Sequence, residues 1–215
     1  MQEIDLKKGQ LARHVTRAVK AINDGYVIAV PMENAYAYIC DAFNHDAVRA
    51  MHVLRGDELG VKAQVLVSNF KMAEGISRNL DKRTIAAMKK YWPGKVTFQV
   101  LPSALLNWDL GDGGSQGVFL ARCSEAEVIR DIARKHGPIL TATVALVGGS
   151  IARTLAELEP FRSHADLVIE AQGEFDANVL STIVDVSSNP PTILRRGALS
   201  LLELASQAPS IRVAS

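Results

Sequence analysis

The chain has 215 residues, 48% hydrophobic, 22% charged and 6% aromatic, with a formal net charge of +1. That length supports one large core or one domain with a small appendage. The near-neutral balance excludes a strongly basic nucleic-acid binder, while leaving a local basic face open.

MQEIDLKKGQ at the start lacks the apolar stretch of a signal peptide, and no apolar run approaches the roughly 20 residues needed to cross a bilayer. A cytoplasmic protein with no membrane partner is therefore expected. From Gly9 to Asp24, apolar residues at Leu11, Val15, Ala18, Val19 and Ile22 have helical spacing. Gly25 stops that helix, and Tyr26–Val30 reads as a buried strand. Asn44 is placed to cap a helix with Ala47, Val48, Met51 and Leu54 on one face. Gln64–Val67 reads as another strand.

Asp81 opens a helix that ends before the breaker Trp92-Pro93-Gly94. Val96–Leu101 and Gly117–Ala121 read as strands separated by the Gly/Asp-rich loop Gly111–Gly114. The helix Glu125–Lys135 leads through Gly137-Pro138 into a strand at Ile139–Thr143. Thr154 and Glu157 have capping-box spacing. Leu167–Glu170 and Ile183–Val186 supply two short strands, and a final helix is expected after Gly197. Strands and helices mix without a strict βαβ beat, so the expected fold is a single α/β domain spanning residues 1–215, with a twisted mixed open sheet flanked by helices. Two cysteines, Cys40 and Cys123, cannot alone build a disulfide framework or a zinc site and read as small buried hydrophobes. The five histidines show no metal-ligand spacing.

Four stretches in order resemble the YrdC-like threonylcarbamoyl-adenylate synthase family. VIAVPMENAYAYICDA (27–42) is similar to that family's strand followed by P-T-(D/E)-T-x-Y-G-L. KYWPGKVTFQV (90–100) carries its W-P-G-x-(V/L)-T signature. FLARCSEAEVI (119–129) and GPILTATVALVGG (137–149) correspond to its V-R-x-P and S-A-N-x-S-G regions. LSTIVDV (180–186) with ILRRGAL (193–199) matches S-T-(I/V)-V-D and I-x-R-x-G. Their order and joint presence are what make the resemblance specific.

The resemblance implies an enzyme that makes threonylcarbamoyl-AMP and pyrophosphate from ATP, L-threonine and bicarbonate, for tRNA threonylcarbamoyladenosine modification. Both reactants are anionic, so cations and fixed N–H donors must neutralise and align them, with Mg2+ sharing the phosphate charge. Carried over residue by residue, Arg55 and Arg122 are the candidate catalytic cations. Thr143, Gly148, Gly149, Ser181, Thr182 and Arg195 are candidates for the nucleotide; Asn34, Tyr36 and Arg122 for the amino acid. Arg122 reads as a solitary cation on a strand end. Trp92, Pro93 and Gly94 read as scaffold.

The sequence also departs from the family's pattern. Met32 stands at the first threonine, Ala145 at the asparagine and Val147 at the later serine. Counting from Pro31, the family's K-x-R cations fall on Arg55 and Asp57, so the second charge is reversed. Asp57 is read as an exposed loop acid or a magnesium ligand, and Lys62 as an alternative cation. Two rival readings follow: a catalytically impaired paralogue that binds nucleotide or double-stranded RNA, or a related carbamoyl or adenylyl transferase with another substrate. Lys82, Arg83, Lys89, Lys90 and Lys95 form the candidate RNA-facing run.

Overall fold

The computed structural model describes residues 2–115, 117–145, 149–170, 175, 180–200, 203 and 212–213. In chain order the first half holds β1 (Gln2–Asp5), α1 (Leu11–Asn23), β2 (Ile28–Pro31), β3 (Tyr36–Asp41), α2 (His45–Arg55), β4 (Gln64–Leu66), α3 (Phe70–Ile76), β5 (Ser77–Arg78) and α4 (Lys82–Tyr91). The second half holds β6 (Val96–Pro102), β7 (Phe119–Arg122), α5 (Glu127–His136), β8 (Ile139–Thr143), α6 (Leu155–Leu158), β9 (Leu167–Glu170), β10 (Thr182–Asp185), β11 (Thr192–Arg195) and β12 (Arg212–Val213).

Local side-chain chemistry fixes several helix starts. Asn44 accepts from the backbone N–H of Asp46 and Ala47, both at 3.1 Å, and Asp81 accepts from Thr84 N at 2.7 Å. Thr154 and Glu157 form the reciprocal capping box. Gly56 ends α2 in the left-handed conformation (φ 65°), which only glycine adopts without strain.

Eleven strands pair in the order β1-β9-β2-β3-β8-β4-β7-β6-β10-β11-β12, with β5 joined to β6 off that path. The β2–β3, β3–β8, β8–β4, β7–β6 and β10–β11 pairs are antiparallel; β1–β9, β9–β2, β4–β7, β6–β10 and β11–β12 are parallel. This is the mixed open α/β sheet that the sequence led us to expect. Alternation along the strands sorts the core onto two faces. Ile28, Val30, Ala37, Ile39 and Leu66 pack with α1 and α5; Ala29, Tyr36, Tyr38, Cys40 and Val65 pack with α2 and α4 on the other side.

Some expected bounds move by one or two residues: β2 runs to Pro31, β7 covers Phe119–Arg122, and β10 covers Thr182–Asp185. β1, β3, α3, β5, β11 and β12 had no counterpart in the sequence reading. The helix expected after Gly197 falls largely outside the described residues. Both cysteines are free and buried, as expected, and burial pushes the Cys40 thiol up to about 12 and the Cys123 thiol to about 11. No helix among the described residues is long and apolar enough to cross a membrane.

Candidate functional site

A cavity of roughly 260 Å³ opens where the starts of β3 and β4 and the end of β8 meet the start of β10 and the ends of β7 and β11. Asn34, Tyr36, Arg55, Arg122, Thr143, Ser181 and Arg195 all line it, together with Met32, His52, Asp57, Lys62, Gln64 and Thr141. Register explains the convergence. Ala37 lies opposite Thr143 and Gln64 opposite Thr141, so β8 brings the 34–37 and 64 regions to one place.

Arg122 ends β7 almost wholly buried. Its Nη2 lies 3.0 Å from Glu33 Oε2, and its Nε donates to the Gly94 carbonyl at 3.1 Å. Glu33 is held in turn by the Ser124 hydroxyl at 2.7 Å and by the Glu125 backbone N–H. The expectation of an uncompensated arginine is therefore corrected. A buried guanidinium needs a counter-ion because the desolvation cost of an unpaired one is several kcal/mol. Trp92 anchors the same turn through Nε1 to Val96 O at 2.7 Å, and Gly94 N donates to Cys123 O at 3.0 Å.

Asp57 is neither exposed nor solitary. Its side chain is 2% exposed, with Arg55 Nε at 2.9 Å and His52 Nδ1 at 2.8 Å from Oδ2. His52 Nε2 meets the Leu110 carbonyl at 3.1 Å, which carries the ring between α2 and the loop before β7. Arg55 also donates through Nη1 to the Thr143 carbonyl, so its guanidinium bridges α2 to the end of β8. Lys62 lies 3.0 Å from Asp112 Oδ2 and donates to Val118 O at 3.2 Å. Burial opposes ionisation of Asp112, but hydrogen bonds from Ser115 and Lys62 outweigh it and hold its carboxyl below the usual range.

A hydrogen-bonded chain runs along the wall from Gln64 Nε2 to Thr97 Oγ1 (2.8 Å), on to Ser181 Oγ (3.0 Å), and from there to Arg195 Nη2 (2.9 Å). Arg195 also donates twice to the Ser181 carbonyl. Its pKa is lowered, first by burial and second by the charge of Arg122, so the two guanidiniums face a shared space. Among the described residues Arg195 has no carboxylate partner. Gly197 makes this approach feasible: a Cβ there would lie 2.4 Å from Leu180 O and 2.6 Å from Thr182 N.

Thr182 stands apart from Ser181. It is fully buried, outside the cavity, with its hydroxyl donating to Leu199 O and accepting from Leu199 N at 3.0 Å. Strand alternation gives Ser181 and Ile183 to the cavity and Thr182 to the other side. Gly149 is exposed and does not line the cavity. Gly148 and Val147 lie outside the described residues. Met32 is a wall residue whose sulfur is 3.6 Å from the Thr141 hydroxyl.

No group of three or more His, Cys, Asp or Glu among the described residues is arranged to hold a metal ion. Asp57, Glu33 and Asp112 are each engaged by a cation instead, so these side chains do not fit a protein-built magnesium site. The sequence reading missed Glu33, His52, Gln64 and Thr141. Glu33 was legible in one respect only, as an acid in the turn between the first motif's proline and tyrosine.

Comparison with known proteins gives these side chains a family. A putative threonylcarbamoyl-AMP synthase of Mycobacterium tuberculosis is 28% identical over 200 residues, covering 91% of this chain and 89% of the relative. The structure of Pyrococcus abyssi Sua5 complexed with L-threonine superposes with a TM-score of 0.86 at 20% identity, over 99% of this chain and 62% of that one. Escherichia coli YciO superposes with a TM-score of 0.77 at 19% identity, covering 96% and 98%. The Sua5/YciO/YrdC family profile, described as "Telomere recombination", matches residues 20–197, and the chain belongs to that family.

Proposed function

We propose that the cavity binds ATP, L-threonine and bicarbonate and joins them as threonylcarbamoyl-AMP, releasing pyrophosphate, in the service of tRNA threonylcarbamoyladenosine modification in the cytoplasm. The supporting observation is the convergence of three guanidiniums, Arg55 on α2, Arg122 on β7 and Arg195 on β11, around one open cavity. Bicarbonate loses water as the threonine amine, giving up a proton, forms the N–C bond of a carbamate; a carbamate oxygen then bonds the α-phosphorus as its bond to the pyrophosphate oxygen breaks and pyrophosphate leaves. Such a reaction needs in-line positioning and fixed positive charge more than acid–base groups. Arg195, held by Ser181, is assigned to the nucleotide; Arg122, which lines the same cavity as Asn34 and Tyr36, to the amino-acid carboxylate. Thr143 contributes its hydroxyl near Arg55. Any magnesium enters with the phosphates. The Mycobacterium tuberculosis relative named "Putative threonylcarbamoyl-AMP synthase" and the threonine complex of Pyrococcus abyssi Sua5 support the choice of substrates.

Pyrophosphate release that requires ATP, threonine and bicarbonate together tests this reading. No release at high protein concentration, beside an active relative as control, sinks it.

Asp57 favours a second reading, a paralogue that binds nucleotide without turnover, because the carboxylate engages the Arg55 cation that the reaction requires. Nucleotide binding without pyrophosphate release distinguishes the two. Double-stranded RNA remains a candidate partner through Lys82, Arg83, Lys89, Lys90 and Lys95. Of these, Lys89 lies over the Phe70 ring and Lys90 over Tyr91. RNA affinity that falls steeply with salt supports that contact; no gel shift with any duplex RNA removes it.

A further inference from the structure

The cavity's charges are unusually well matched to one another. Four cations line it, Arg55, Lys62, Arg122 and Arg195, and against them stand three carboxylates, Asp57, Asp112 and Glu33, each within 3.0 Å of one cation. Among the described residues Arg195 is the one of these four cations with no carboxylate partner, while Asp57 is shared between Arg55 and His52. An ion pair acts on an outside anion as a dipole, whose attraction falls off faster with distance than that of a bare charge. An incoming phosphate must also compete with Asp57 for the Arg55 Nε–H.

A nucleoside monophosphate brings about two negative charges near neutral pH, and a free triphosphate roughly twice that. A single cation without a carboxylate partner among the described residues, Arg195, supported by the polar chain from Gln64 to Ser181, suits the first and not the second. We propose that the cavity is charge-limited: it holds a nucleoside monophosphate, or an acyl ester of one, at least as well as a metal-free nucleoside triphosphate. Asp57 sets the limit by engaging Arg55. The inference rests on the reading of the cavity as a nucleotide site, and narrows it to the adenylate end of the reaction.

Titration calorimetry of the full chain with AMP and with ATP, both in EDTA, tests it. The expected result is a dissociation constant for ATP no smaller than that for AMP. In Asp57→Asn, which keeps the side-chain shape and removes the charge, the ATP constant falls about tenfold while that for AMP changes less. Tighter binding of ATP than AMP by the unaltered protein overturns the charge limit and leaves the nucleotide site standing. Heat from neither nucleotide overturns both. Should Asp57→Asn fail to fold, the comparison in the unaltered protein decides alone.

Discussion

The Gly94 carbonyl accepts the Nε–H of Arg122 at 3.1 Å, tying the turn after α4 to the cation at the end of β7. The side of Arg122 that faces Glu33 is neutralised by the carboxylate, while the backbone carbonyl fixes the plane of the guanidinium. The Trp92-Pro93-Gly94 turn therefore belongs to the site one layer back from the cavity, as a positioning element.

Gly94→Ala is expected to disturb that layer. Its added Cβ would lie 2.2 Å from the Tyr91 carbonyl oxygen, so the turn must shift. Overpacking of this kind costs about 1–3 kcal/mol, and for a chain of this size each kcal/mol lowers the melting temperature by roughly 2–4 °C. Calorimetric melting should show the drop, together with weaker threonine binding as Arg122 moves. An unchanged melting temperature would show that the turn relaxes freely.

Ser181→Ala and Thr182→Val should separate two roles that are adjacent in sequence. Ser181 offers Arg195 a hydroxyl acceptor and closes the chain through Thr97, so its loss is expected to weaken nucleotide binding several-fold with a stability loss of about 1 kcal/mol. Among the described residues the Thr182 hydroxyl bonds the backbone of Leu199. Its replacement by valine leaves the partly buried Leu199 backbone groups without that partner and should cost about 1 kcal/mol while nucleotide affinity holds. Equal loss of affinity in both variants would contradict the assignment.

Asp112 gives a pH dependence with a definite sign. Its folded pKa lies below the ordinary 3.8, with burial opposing the shift and the Ser115 and Lys62 hydrogen bonds driving it. The stabilisation it provides is complete above the unfolded value and is lost as pH falls through the folded one. Asp112→Asn should therefore lower stability at pH 7 by about 1–2 kcal/mol, and the gap to the unaltered protein should close as pH falls below the ordinary 3.8 and through the lowered folded value in urea melts. A gap that persists into acid would assign the effect to lost packing.

The parts of the fold that follow from neighbouring residues were legible. Asn44, Asp81 and Thr154 cap helices because the donors they serve are two or three residues away. The ion pair of Glu33 with Arg122 joins residues far apart in sequence and depends on β3 and β7 lying near one cavity, so no local pattern announces it. Asp57 misled for the same reason. In LRGDE it reads as a loop acid, and only the return of Leu110 against His52 encloses it. Thr182 was grouped with Ser181 because a motif treats them as a pair, whereas a strand sends successive side chains to opposite faces. β3 escaped notice because YAYICD is buried on both faces and shows no polar alternation.

The cavity wall begins at Met32 and ends at Arg195, drawing on β3, α2, β4, β7, β8, β10 and β11. No excised segment can carry such a site, since removing any one strand removes a wall. Occupancy is consequently linked to unfolding of the whole sheet, and a ligand at 100 times its dissociation constant should add about 2.7 kcal/mol to global stability. The amides of β3 and β8, strands paired on both sides, are expected to exchange slowest and thereby to report what fills the cavity.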